Sequence, residues 1–242
     1  MKRFIALALS LTMICVLSLT VLANSNPRKY GSENSYDYIV DLASDTSVLE
    51  NDELKALLLN KTRQLINSGK VRIHINEFSY DYNNSILSEV SSKEYFSLTI
   101  PVMGNTYSVL SNLTIIFDEN FLPVSYSELI LTESTKETFN IQIYTDGIKT
   151  YSEVTDIEYI RNSEMNKWID EMQTVYDGVQ PYALDLPCFG AVTGAGAAIS
   201  GLLVKVCGGP CTLAPPICAV CVGGIIIVGG GSIIAAVTQC WS

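Results

Sequence analysis

The sequence predicts an α+β fold: an N-terminal helix, an antiparallel β-meander sheet and a packing helix, followed by a disulfide-rich apolar helical-hairpin tail. Three observations carry this prediction. Apolar and polar residues alternate through successive short stretches between Val71 and Val154, two stretches of helical period flank that region, and six cysteines are confined to residues 188–240.

The chain opens with Met1-Lys2-Arg3, an apolar run from Phe4 to Leu22 and the small-residue ending Val21-Leu22-Ala23. These are the three parts of a secretory signal, so residues 1–23 are expected to be removed by cleavage between Ala23 and Asn24. An uncleaved anchor is the alternative, weakened by Ser10, Thr12, Ser18 and Thr20 within the run. Residues 24–36 are polar and turn-rich and read as a flexible start.

Asn51-Asp52-Glu53 then opens a helical pattern with Leu54, Leu57, Leu58 and Leu65 on one stripe and Gly69 just past its end. From Lys70 the period becomes two. Val71, Ile73 and Ile75 alternate with Arg72, His74 and Asn76, which predicts a first strand. Further strands are expected over 96–100, 107–117, 124–132, 139–144 and 148–154, the last two joined by a tight turn at Asp146-Gly147. Connections this short leave no room for crossover helices, so the sheet is expected to be an antiparallel meander. After Asn162 a second helical stretch places Met165, Trp168, Ile169, Met172 and Tyr176 at helical spacing and ends at Gly178.

Charge divides the chain in the same places. Residues 24–184 hold 12 basic and 24 acidic side chains, whereas residues 185–242 hold only Asp185 and Lys205. So acidic a middle segment repels nucleic acid and anionic lipid, and no nucleic-acid partner is expected. Four segments follow: a signal peptide at 1–23, an acidic α+β domain at 24–178, a linker at 179–187 and a Cys/Gly-rich peptide at 188–242. The linker contains Pro181 and Pro187, which favour an accessible extended strand, and a processing cut between Ala183 and Leu184 is expected.

In an exported chain the close-set thiols of Cys188, Cys207, Cys211, Cys218, Cys221 and Cys240 are expected to form crosslinks, with fifteen pairings open. Two stretches of 18 residues, one before Cys207 and one after Cys221, flank a bend containing Cys207-Gly208-Gly209-Pro210-Cys211 and Pro215-Pro216-Ile217-Cys218. As helices they are each about 27 Å long, close to the roughly 30 Å of bilayer hydrocarbon. The same composition suits the buried core of a compact stapled peptide, and Ile225-Ile226-Ile227 with Gly229-Gly230-Gly231 also permits a strand.

Catalytic and metal chemistry find little material. A zinc site at Cys207, Cys211, Cys218 and Cys221 has too short a gap between its pairs and lies in an oxidising compartment. The one histidine, His74, falls on the polar face of an expected strand and reads as an ordinary exposed side chain. The acids read as a solvated surface. No enzyme and no cofactor are expected.

With the tail from Cys188 to Cys240, and with 96–147 containing Ser111-Asn112-Leu113-Thr114-Ile115-Ile116-Phe117-Asp118 and Tyr144-Thr145-Asp146-Gly147, the chain resembles exported immunity/bacteriocin fusion proteins, similar to halocin-type bacteriocin precursors. It departs from them in having Lys2-Arg3 instead of a twin-arginine signal and fewer tail cysteines. The resemblance implies a secreted precursor whose released peptide kills related bacteria while the upstream domain gives immunity. The partners implied are a target-cell membrane, a processing protease and a contact between the immunity domain and the tail peptide. The competing expectation is an extracytoplasmic interaction protein held at a membrane by its apolar C-terminal hairpin.

Overall fold

The computed structural model describes residues 46–90 and 95–167 and, further on, residues 202, 206 and 207. Seven strands form one antiparallel sheet in sequential order, β1 (Thr46–Val48), β2 (Ile86–Val90), β3 (Tyr95–Pro101), β4 (Asn112–Phe117), β5 (Pro123–Glu133), β6 (Thr138–Thr145) and β7 (Ile148–Glu158). The helix α1 (Asp52–Asn67) lies within the β1–β2 connection, so a short strand precedes it. The fold is α+β with an antiparallel meander. The helical-hairpin tail, the signal segment and most of the second helix lie outside the described residues.

Helix α1 starts where Asn51 caps it, its side-chain oxygen accepting from the Leu54 N–H at 3.0 Å. It ends in a left-handed turn at Gly69, φ +71°, where the Gly69 and Lys70 N–H groups return to the carbonyls of Ile66 and Leu65. Its buried side chains are Leu58, Thr62 and Leu65, one face at spacings of four and three. Leu57 is off that face and 51% exposed, a correction to the expected stripe.

Both faces of the central strands are buried. On the first, Leu87, Leu98, Ile100, Leu113, Ile115 and Phe117 meet Leu58 and Leu65 of α1. On the second, small hydroxyl side chains (Ser88, Ser97, Thr99, Thr114) stand beside Ile116, Leu129, Leu131, Phe139, Ile141 and Ile143, all at least nine-tenths buried.

Two expected strands are corrected. Residues 71–76 join no ladder, although Val71 is buried and Ile73 and Ile75 pack on the core. A period of two reports an extended backbone with one side covered, and here the covering sheet lies beneath the segment and not beside it. The expected strand at 107–117 is regular only from Asn112. Before it, the chain turns, and the Ser111 hydroxyl accepts from the Leu131 N–H and donates to its carbonyl. The strand β2 had not been expected.

The hairpin at Asp146-Gly147 is as expected, with φ +50° and +78°, and the Asp146 carboxylate accepts from the Tyr126 N–H at 2.9 Å. Asn162 is the first residue of the helical turn at 162–167 and not the residue before it. Its side chain accepts from the Val109 N–H and donates to the Tyr107 carbonyl, tying that turn to the loop before β4, and Met165 of the same turn is fully buried.

Gly147 is also a packing position, because a Cβ there would lie 2.8 Å from the Tyr126 hydroxyl and 3.1 Å from Arg72 Cβ. Gly147→Val is expected to lower stability by about 1–3 kcal/mol, read as an earlier urea midpoint at unchanged slope.

Candidate functional site

The polar feature that stands out on the first face is Glu128. It lies on β5, opposite Leu113 of β4 and Tyr144 of β6, and its side chain is completely buried. A carboxylate in such a place is tolerable only when its oxygens are met by donors. Four donors meet it: the backbone N–H groups of His74 (2.9 Å) and Ile75 (3.2 Å), the His74 ring at 2.7 Å and the Tyr80 hydroxyl at 2.5 Å.

The local sequence explains the arrangement. After the α1 cap the chain runs extended across the sheet, then closes in a 3-10 turn at Glu77–Ser79 whose end delivers Tyr80 to the edge of the core. Tyr126 and Glu128 are two residues apart on one face of β5. Tyr126 accepts from the Arg72 N–H at 3.0 Å and Glu128 from the His74 N–H, again two residues apart. The common period of two lets side chains of β5 take the place of a neighbouring strand.

An ionised carboxylate only accepts, so His74 Nδ1 carries the shared proton. The His74 ring also stacks on Tyr144, with centroids 3.6 Å apart and planes at 15°, and its side chain is 28% exposed. Lys149 lies 5.1 Å from the centroid of Tyr144 and donates to Gln142. Burial, reinforced by the adjacent Glu128 charge and its hydrogen bond, holds the Tyr80 phenol well above the ordinary tyrosine pKa.

Chemically, this is a clamp. A carboxylate has about four lone-pair positions, and here they are occupied from within the chain, leaving none for a substrate or a metal ion. Among the described residues no group of three or more metal-ligating side chains comes together. His74 is exposed as expected, yet it is bonded to Glu128 and stacked on Tyr144, which corrects its reading as an ordinary surface histidine. Glu128 corrects the reading of every acid as solvated. The missed signal was local: Glu128 is the single charge in Ser127-Glu128-Leu129-Ile130-Leu131, and the strand period puts it on the face of Tyr126 and Ile130.

Of the expected site residues, Cys207 is described. It is helical, completely buried and disulfide-bonded. Leu202 and Val206 are likewise helical and buried. Ala23, Asn24, Ala183, Leu184, Cys188, Cys211, Cys218, Cys221 and Cys240 lie outside the described residues. Among the described residues no helix is long and apolar enough to cross a membrane. No family model, curated protein or solved structure matches the chain.

Tyr80→Phe removes a hydrogen bond to a charged acceptor and is expected to cost about 1.5–3 kcal/mol in urea unfolding. A second outcome concerns alkaline pH. Above about pH 10 the unfolded chain releases the Tyr80 proton that the folded chain retains, so stability falls as pH rises. Urea midpoints taken on either side of about pH 10 should fall less steeply for Tyr80→Phe than for the wild type.

Proposed function

We propose that the chain is a secreted bacteriocin precursor. A signal peptide directs export, the 24–178 domain serves as carrier and gives immunity, and residues 188–242 are released by proteolysis in the 179–187 linker to kill related bacteria at their membrane. The observation that carries this reading is Cys207: a disulfide-bonded, fully buried cysteine in a segment where 188–242 holds six cysteines and Lys205 is the one charged side chain. A small peptide with few polar groups needs such staples to hold one shape in water, and the same composition suits lipid.

The domain before it supports the division of labour. Residues 24–187 contain no cysteine, and the sheet is held by two-sided burial and the Glu128 clamp. Cutting the linker would remove no staple from it. In this reading the domain acts by binding its passenger. Its acidic surface keeps an apolar passenger soluble and away from anionic lipid until release.

Mass spectrometry of culture supernatant is expected to find a peptide that begins within 179–188 and includes Cys188 to Cys240, lighter than its reduced form by one hydrogen per cysteine. That peptide should inhibit growth of related strains and release dye from anionic vesicles, and cells making the 24–178 domain should resist it. A product whose thiols are free, or a purified oxidised peptide harmless to every related strain, overturns the proposal.

A further inference from the structure

We propose that the open part of the first face, on β6 and β7, is a binding shelf for an acidic saccharide. Its hydroxyls meet the amide side chains of Gln142 and Asn140, and its carboxylate meets the cations gathered around Tyr144.

Helix α1 and the 71–80 segment cover the first face as far as Glu128, and beyond it the lining changes. Directly opposite residues of an antiparallel pair share a face. The register therefore places Tyr144, Gln142 and Asn140 of β6 between Glu128, Ile130 and Thr132 of β5 and Lys149, Ser152 and Val154 of β7. Lys149, Ser152 and Val154 are exposed, and Asn140, Gln142, Tyr144 and Thr132 are half-buried. From the Tyr144–Lys149 pair to the Asn140–Val154 pair the row runs about 13 Å, enough for a short oligosaccharide.

The amides are already oriented. Gln142 Oε1 accepts from the Lys149 ammonium at 3.2 Å and from the Tyr144 hydroxyl at 3.1 Å. An ammonium only donates, so the oxygen of this amide faces Lys149 and its nitrogen, with both N–H donors, faces away. Asn140 donates from Nδ2 to the Thr132 hydroxyl at 3.2 Å, which leaves its Oδ1 as an acceptor. Donors and an acceptor two residues apart on one strand suit a ligand with several hydroxyls, because each hydroxyl both gives and takes a hydrogen bond. Val154, 51% exposed beside them, offers an apolar contact to the C–H groups of a sugar ring.

Charge sets the kind of saccharide. Lys149 Nζ and the His74 ring both lie against Tyr144, and the Arg72 side chain packs on Gly147, two residues before Lys149. His74 gives Nδ1 to Glu128, so Nε2 is the ring nitrogen left for a ligand. Among the described residues no carboxylate pairs with Arg72 or Lys149. Glu128 is buried in its clamp, Asp146 accepts from the Tyr126 N–H and the Ser125 hydroxyl, and Glu153 stands opposite Ile141 of the second face. Asp156 and Glu158 lie toward the far end of β7. Cations at one end and acids at the other give the row a direction, with the ligand's carboxylate beside Lys149. Salt screens charges over about 8 Å, so these neighbours outweigh the net charge of the domain.

The inference does not use the toxin reading, and its test involves neither killing nor the linker. Titration calorimetry of the full exported chain takes trigalacturonate and a hyaluronan tetrasaccharide as acidic probes, maltotriose as the neutral one and inorganic phosphate as charge alone. At least one acidic probe is expected to bind about tenfold or more tighter than maltotriose, and phosphate at the same concentration should not displace it. Lys149→Ala should abolish the preference for the acidic probe, and Gln142→Ala should weaken its binding by about tenfold. Should Gln142→Ala shift the urea midpoint, Ser152→Tyr, at an exposed position, fills the row instead and should block binding. Amide shifts on adding the probe should centre on 72–74 and 140–154. Failure of both acidic probes to bind, maltotriose bound equally well, displacement by phosphate, variants that bind as wild type does, or shifts centred elsewhere each overturn the inference.

Discussion

Glu128 places a negative charge on a strand with neighbours on both sides, and the surrounding structure is arranged to make that charge tolerable. Its donors come from three successive parts of one segment: the His74 backbone and ring, the Ile75 N–H and the Tyr80 hydroxyl. Satisfying the carboxylate therefore fixes the path of the chain from the end of α1 to the start of β2. That path brings Arg72 against Tyr126 and Gly147, so the hairpin between β6 and β7 is shaped by the same constraint. A buried ion is weak evidence of net stability, since its desolvation offsets much of its attraction. Its stronger effect is to exclude alternatives, because any slip of the 71–80 segment by one residue leaves a charge without donors.

What the sequence disclosed and what it hid follow from the range of the interactions involved. Helix α1 could be read from Asn51 and Gly69, and the β6–β7 turn from Asp146-Gly147, because caps and tight turns are decided by residues within a few positions of one another. The alternation at Val71, Ile73 and Ile75 was correctly read as one-sided burial and wrongly as a ladder. Local period cannot tell whether the neighbour of an extended chain is a strand's edge or a sheet's face. The same limit concealed the clamp, whose members are 48 to 54 residues apart. One clue was nevertheless present, a lone carboxylate among apolar residues at a position the strand period assigns to the core.

The chain uses two different devices to hold its two halves. In the sheet domain, the central strands of a seven-stranded sheet bury both of their faces, and no cysteine stands in the described residues of that domain. In the tail there are few polar or charged groups with which to specify a fold, and the cysteines are concentrated there. Such a contrast within one chain fits the two-part reading proposed above, in which each part keeps its structure once the connection between them is cut.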